Sequence, residues 1–159
     1  MLAVTACSSG TQESAPPAAP AVSASAGQQS TASPSSSTSG RSTSMTIRVT
    51  LDGRPAEATL NGSPAASDFA ALLPLTLQLE DFHSTERVAD LPRKLDTSGA
   101  PEPVAAKAGD IAYYAPWGNL ALFYQDGPAP SADLLILGHL DASADQLGRA
   151  KRITIEPAS

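Results

Sequence analysis

Cysteine is almost absent from this chain, and its single copy, Cys7, lies near the N-terminus. An intrachain disulfide is therefore impossible, and the folded part must be stabilised by packing. Basic residues are also scarce, since ten Lys and Arg stand against sixteen Asp and Glu and the formal net charge is −6. Without a basic stripe to neutralise phosphates, the composition argues against binding nucleic acid and against electrostatic docking on anionic lipid.

The motifs of several enzyme classes are missing as well. The chain has no Gly-x-Ser-x-Gly elbow, no phosphate-binding glycine loop, and no Cys-His pair suited to nucleophilic catalysis. No apolar run is long enough to span a membrane. Hydrolase and nucleotide-dependent functions are therefore without support, and no cofactor is expected.

The N-terminal residues Val4-Thr5-Ala6-Cys7 resemble a bacterial lipobox, the signal whose cysteine becomes the lipidated first residue of the mature protein. Residues 1–7 are thus interpreted as a lipoprotein signal with Cys7 as the site of lipidation, palmitate included. Only six residues precede Cys7, whereas a secretory signal needs a basic region and an apolar region of about 7–15 residues. We therefore expect the signal to be truncated, or the true start codon to lie upstream.

Residues 8–44 consist almost entirely of Ser, Ala, Pro, Thr, Gly and Gln. Such a segment has too few apolar groups to offset the entropy of ordering its backbone. The sequence predicts a disordered, flexible tether here, followed by one folded domain over residues 45–159.

The folded part opens with alternating apolar residues at 47–51 and 56–60, joined by Asp52-Gly53, which predicts a β-hairpin. Ser63 and Pro64 predict the start of a short helix that ends before Pro74. Leu75, Leu77 and Leu79 then alternate with polar residues as in a strand with one buried face.

Further strands are predicted along the rest of the chain, together with a second helix. Asp81–Thr85 is interpreted as a connection, residues 95–107 and 126–132 as loops, and Ser143 with Gln146 as a capping box for a helix that stops at Gly148. The remaining predicted strands are 87–91, 111–114, 120–124, 134–140 and 153–155.

The centre of the prediction is the stretch 109–125, which holds the only Trp and all three Tyr. Ala115-Pro116-Trp117-Gly118 is typical of a turn between two strands. On the return strand, Leu120, Leu122 and Tyr124 share one face, and Ala121 and Phe123 share the other. Many short strands with frequent turns favour a closed barrel, which leaves no exposed edges.

Three segments carry a resemblance to a known family: 68–77 (DFAALLPLTL), 91–95 (LPRKL) and 108–120 (AGDIAYYAPWGNL). In this order they resemble the bacterial cyclophilin-like fold family, in a lipoprotein-type chain. The resemblance implies a mainly β protein: a closed antiparallel barrel of about eight strands with two short helices. It transfers no catalytic residue, because the Phe-His-Arg and Gly-Ser-Gln-Phe-Phe segments of prolyl-isomerising cyclophilins are missing.

Four residues are candidates for ligand binding at the barrel mouth. Trp117 and Tyr114 can stack on an apolar ligand, and Asn119 can supply directional hydrogen bonds. The alternative for Trp117 is a plain core residue. Arg93 can grip a carboxylate or carbonyl with its fork of donors, and its alternative is a surface salt bridge, for instance to Glu86 or Asp90.

A metal site is not expected. Glu80, Asp81, His83 and Glu86 lie close in sequence, but a zinc centre needs at least three well-spaced ligands, usually with more His or Cys. Solvated loop charges are the preferred interpretation. His139 lies inside an apolar run, which predicts a histidine satisfied within the barrel.

The sequence as a whole predicts a lipoprotein anchored on the extracytoplasmic face of the cell membrane. The leading hypothesis is a non-enzymatic module that binds a peptide segment or small-molecule ligand. The competing hypothesis is a cell-envelope peptidyl-prolyl isomerase with Arg93 in the arginine role. A third is a purely structural envelope protein without a pocket.

Overall fold

The structure, a computed structural model, describes residues 43–159. The predicted lipobox at Cys7 and the predicted tether up to residue 42 lie outside the described residues. Nine strands and two helices make up the described part, which confirms the mainly β fold. They are β1 Met45–Leu51, β2 Arg54–Leu60, α1 Pro64–Ala70, β3 Leu75–Gln78, β4 Glu80–Phe82, β5 Glu86–Asp90, β6 Asp110–Tyr114, β7 Asn119–Phe123, β8 Leu134–Asp141, α2 Ala144–Arg149 and β9 Arg152–Pro157.

The strands of this region form one antiparallel sheet in the order β3-β9-β1-β2-β8-β6-β7-β5-β4. Residues 75–82 run along both ends of the sheet, because β3 pairs with β9 and β4 pairs with β5. The backbone N–H of Leu79, between β3 and β4, still bonds the carbonyl oxygen of Lys151 at 2.8 Å. The barrel is thereby nearly closed, as the sequence predicts.

The predicted connection Asp81–Thr85 is wrong in its first part. Glu80–Phe82 form the short strand β4, and Phe82 pairs directly with Glu86. The chain can reverse this tightly because His83 and Ser84 both have positive φ angles, of 53° and 55°. This extra strand is one reason why the barrel has nine strands in the described region, against about eight predicted.

Local sequence explains where the other elements begin and end. Asp52 and Gly53 have φ angles of 45° and 84°, the positive pair that a two-residue hairpin requires. Ser63 caps α1, since its hydroxyl accepts from the N–H of Ala66 at 3.2 Å. Ser143 caps α2 in the same way, through the N–H of Gln146, and that helix extends one residue beyond Gly148.

The inner face of the sheet packs into one large apolar core. Its strand residues alternate inward with the period of two that a pleated strand imposes. Phe69 of α1 and Leu147 of α2 are buried against this core from the two helices. Leu120 and Leu122 of β7 are fully buried in it, as predicted.

A second, smaller apolar cluster lies on the outer face of β5, β7, β6 and β8. It includes Ala112, Ala121, Phe123 and Leu134. The loop before β6 covers part of it, because Ala106 joins the cluster. That loop is tied to the loop after β7, where the N–H of Gly127 bonds the carbonyl oxygen of Ala106 at 3.0 Å.

His139 does not point into the barrel, and that prediction is wrong. Its side chain is 61% exposed, and its Nδ1 lies 3.2 Å from Oδ1 of Asp110. The cause is a bulge in the pairing of β6 with β8, where Ile111 pairs with Gly138 but Ala112 pairs with Ile136. The extra residue shifts the in-and-out alternation of β8, so the histidine faces outward.

Candidate functional site

An apolar recess of the described region is a cavity of about 320 Å³ on the outer face of the sheet. This volume lies at the lower end of the range for small-molecule sites, about 300–1,000 Å³. We call it the outer pocket. Its apolar walls are formed by Phe82, Val88, Tyr114, Trp117, Phe123 and Leu134.

The outer pocket lies on the opposite side of the sheet from the barrel core. Ala121 and Phe123 line it, while Leu120 and Leu122 between them pack inward. Sequence reasoning placed the ligand site at the open end of the barrel. The described geometry instead places the recess below the β6–β7 turn, along the outside of the strands.

Trp117 forms the exposed rim of the outer pocket. The residue is 63% exposed, so it is not the core residue of the alternative interpretation. The turn is closed by a 2.9 Å hydrogen bond from the N–H of Gly118 to the carbonyl oxygen of Tyr114, with Gly118 at a φ of 74°. The indole meets the rings of Tyr114 and Phe82 edge to face, with centroids 5.3 and 5.8 Å away.

Asn119 supplies a buried polar atom to the same pocket. It begins β7 and shares the outer face with Ala121 and Phe123, because side chains alternate along a strand. Asn119 is only 7% exposed, and its Oδ1 has no hydrogen-bond partner. A buried acceptor without a partner is costly to the free protein, so its presence beside a cavity requires an explanation.

Glu86 supplies a second such atom. It lines the outer pocket from β5, and its Oε2 is buried without a hydrogen-bond partner. Burial raises the pKa of the Glu86 carboxyl above its ordinary value. No Lys, Arg or His side chain is among the described residues that line the cavity.

Sequence reasoning considered Glu86 only as a loop charge or a partner for Arg93. The signal that could have found it is the spacing of Glu86 and Val88, which places both on the outer face of β5. Phe82 was missed for a related reason, because β4 was interpreted as a connection. Of the sequence candidates, the structure brings Tyr114, Trp117 and Asn119 together.

Arg93 is not part of the outer pocket. Its guanidinium forms a two-pronged ion pair with Asp68, with N–O distances of 2.7 and 2.6 Å. The carboxylate also accepts from the N–H of Asp96 at 2.9 Å. The guanidinium, and next this N–H, lower the pKa of Asp68 to about 2. Arg93 therefore joins α1 to the loop after β5. It forms a salt bridge, as in the alternative interpretation, but its partner is Asp68 rather than Glu86 or Asp90.

The acidic residues around β4 form no metal site. Asp81 accepts from the Tyr124 hydroxyl at 2.7 Å and from the N–H of Ser84 at 3.2 Å, and the Tyr124 hydroxyl is the main cause of its lowered pKa. Among residues 43–159, no group of three or more His, Cys, Asp and Glu could hold a metal ion. In the same region no helix has both the length and the apolar character needed to cross a membrane.

Comparison with known proteins adds the family and the fold. The sequence model of the cyclophilin-like family matches residues 49–156. Among solved structures, the chain is similar to a hypothetical protein from Archaeoglobus fulgidus determined in solution. The two are 18% identical with a TM-score of 0.50, over 76% of this chain and 99% of the other. No curated protein matches the sequence significantly.

Proposed function

Because the chain belongs to the cyclophilin-like family, a fold compatible with ligand binding, we propose that the outer pocket binds a small apolar molecule or a peptide segment. The observation that carries this proposal is an aromatic-walled cavity of about 320 Å³ that is also lined by the polar residues Glu86 and Asn119, each of which has a side-chain oxygen buried without a partner. Polar side chains left without partners beside an apolar cavity are costly to the free protein, and apolar walls with a few polar groups are typical of ligand sites.

The test uses Trp117, the only tryptophan of the chain, as a reporter at the pocket rim. We expect 2-phenylethanol and the capped amino acid N-acetylphenylalanine amide to shift the Trp117 fluorescence and to raise the melting temperature. The variant Ala121→Leu, which fills the pocket floor, should lose both responses. The matched control Arg93→Ala, outside the pocket, should keep them. If neither probe moves either signal, the proposal fails and the purely structural hypothesis gains.

Peptidyl-prolyl isomerisation draws no support from the described geometry. The hypothesis gives Arg93 the task of bonding the prolyl nitrogen, but this guanidinium is held by Asp68 and does not line the outer pocket. The assay is the rate of cis/trans exchange of a proline peptide. We expect no acceleration over buffer, and an acceleration that Arg93→Ala abolishes would restore the isomerase.

We further propose that the chain is a lipoprotein anchored outside the cytoplasmic membrane through Cys7. The support is the sequence Val4-Thr5-Ala6-Cys7 followed by a long Ser/Ala/Pro-rich segment. Metabolic labelling of the full gene product with a fatty acid should label the protein, and Cys7→Ser should abolish the label. An unlabelled wild-type protein would end this proposal without affecting the pocket.

A further inference from the structure

Asn119 presents one end of its amide to the outer pocket. Its Oδ1 is buried, with less than 1 Å² accessible, and has no hydrogen-bond partner. Its Nδ2 has no hydrogen-bond partner within residues 43–159 either, but this nitrogen is not buried. Because Asn119 lines the cavity, the amide atom that a ligand can reach is the nitrogen. An amide nitrogen carries two donors and no acceptor.

A second polar group stands beside this amide. Tyr114 pairs directly with Asn119 across β6 and β7, and both residues line the outer pocket. Directly opposite residues of two strands have Cβ atoms about 4.5–5.5 Å apart on one face. In the described part of the chain, the Tyr114 hydroxyl has no hydrogen-bond partner and is not buried. Since a hydroxyl can donate as well as accept, this part of the wall offers donors to a ligand.

The charge of the wall excludes two kinds of ligand group. The carboxyl of Glu86 lines the cavity, and no Lys, Arg or His side chain of the described residues does so. A ligand anion would meet this carboxyl without a compensating cation, and an unpaired charge is costly to bury. An ammonium or amidinium group would bring further N–H donors to Asn119, whose acceptor is closed off. The group that matches Asn119 is therefore a neutral acceptor.

The rest of the wall is aromatic. The rings of Tyr114 and Trp117 meet edge to face with centroids 5.3 Å apart, and Phe82 and Phe123 also line the cavity. Such walls favour a flat ring, which can stack or pack edge on. We propose that the outer pocket binds an aromatic ligand that carries a neutral carbonyl group, and that Nδ2 of Asn119 donates a hydrogen bond to the carbonyl oxygen. This inference rests on the proposed function.

Four probes of one shape test the chemistry of the acceptor. Acetophenone carries the neutral carbonyl. In α-methylstyrene a CH2 group replaces the carbonyl oxygen, benzoate is the anionic analogue, and benzamidine is the cationic analogue with donors only. Isothermal titration gives the four affinities. We expect benzoate and benzamidine to bind wild type about tenfold or more weakly than acetophenone.

Substitutions at Asn119 test its role as the donor. Asn119→Leu, which keeps a similar volume, should weaken acetophenone about threefold to tenfold and leave α-methylstyrene unchanged. Comparing one probe between two proteins cancels the cost of removing that probe from water. Asn119→Asp replaces the donor with an acceptor, so benzamidine should become the preferred probe. The matched control Gln125→Leu removes an exposed amide that does not line the cavity, and it should change none of the affinities.

The same variant distinguishes two sources of the carbonyl. N-acetylphenylalanine amide carries an aromatic ring beside peptide carbonyl groups. If Asn119→Leu weakens this probe as much as acetophenone, a peptide carbonyl is accepted by the same donor. If the variant weakens acetophenone alone, the natural ligand is a small aromatic carbonyl compound.

Three results would overturn the assignment of Asn119. Equal weakening of acetophenone and α-methylstyrene by Asn119→Leu would mean that the residue serves packing only. Tightest binding of benzamidine to wild type would mean that the charge of Glu86, rather than the amide of Asn119, selects the ligand. If acetophenone does not bind while 2-phenylethanol does, the carbonyl assignment fails alone. If 2-phenylethanol and N-acetylphenylalanine amide fail to bind as well, the pocket proposal fails with it.

Discussion

The inner and outer faces of β5, β7, β6 and β8 are built from alternate residues of the same strands, yet they are filled differently. On β7, Leu120 and Leu122 are fully buried in the barrel core, and the outer-face residues Ala121 and Asn119 are nearly as buried. The difference lies in the space beside them. The inner face is packed with large apolar side chains, whereas the small side chain of Ala121 helps to leave a cavity on the outer face.

The two faces also differ in whether their buried polar atoms have hydrogen-bond partners. On β6, the Tyr113 hydroxyl, which reaches the inner core, accepts a hydrogen bond from the N–H of Leu95 at 3.0 Å. On the outer face, the oxygens of Glu86 and Asn119 are buried without partners. Burial alone therefore does not distinguish structure from function here. Unfilled volume together with unpaired acceptors does, and the following predictions test that distinction.

The largest effect is expected on the inner face. Leu122→Ala removes a fully buried side chain from a filled core, so we expect the free energy of unfolding to fall by about 2–5 kcal/mol. Urea denaturation measures this loss. The protein that remains folded should still bind 2-phenylethanol. A loss below about 1 kcal/mol would mean that the inner face is no better packed than the outer one.

The next effect is on binding rather than stability. Ala121→Leu places a larger side chain in the cavity on the opposite face of the same strand. We expect the affinity for 2-phenylethanol to fall about tenfold or more, since pocket volume is lost. The free energy of unfolding should change by less than about 1.5 kcal/mol. Isothermal titration and urea denaturation of one preparation give both values. A large destabilisation with unchanged binding would mean that Ala121 serves packing rather than the pocket.

A smaller effect is expected at Glu86, where substitution should stabilise the free protein. The pKa of its carboxyl is raised in the folded state. Wild type therefore loses stability as the pH rises from the pKa of this carboxyl in the unfolded state through its pKa in the folded state. At pH 7 we expect Glu86→Gln to be more stable by less than about 1 kcal/mol, since solvent screens a carboxyl that is only half buried, and the gain should vanish once both states are protonated. Equal stability at neutral pH would show that Oε2 is solvated.

The smallest effect is expected at Arg93, away from both faces. Arg93→Ala should let the pKa of Asp68 rise from about 2 toward its ordinary value of 3.8. A lowered carboxyl pKa stabilises the fold above the unfolded-state pKa and ceases to do so as pH falls through the folded-state value. Wild type should lose stability as the pH falls from the ordinary pKa of Asp68, 3.8, to its folded-state pKa of about 2. The variant should not show this part of the loss. Carboxyl NMR titration measures the shift, and weakened probe binding would place Arg93 at the pocket after all.

Much of the inner face could be predicted from the sequence because side chains alternate between the two faces of a pleated strand. Every second residue of such a strand is therefore buried. Leu75, Leu77 and Leu79, or Leu120 and Leu122, need no knowledge of distant residues. The hairpin at Asp52-Gly53 and the caps at Ser63 and Ser143 are equally local. This is why the barrel, the helix starts and the aromatic turn were correctly predicted.

The outer face could not be predicted in this way, because its pocket depends on parts of the chain that have no periodic pattern. Two Pro- and Gly-containing loops cover it, and β4 is only three residues long. The partner of Arg93 was missed because Asp68 lies 25 residues earlier. His139 was misplaced because a bulge in the pairing of β8 changes the phase of alternation. Each error concerns a contact between segments rather than the conformation of one segment.

The stretch 75–82 pairs with β9 through its first half and with β5 through its second. One covalent segment therefore links the two ends of an otherwise open sheet, so neither end can fray while the other stays intact. Amide hydrogens of β9 and β5 should consequently exchange with solvent in a single cooperative step, although these strands are far apart in the chain. A backbone cut beside Leu79 would separate their exchange rates and convert the barrel into a sheet that unzips from either side.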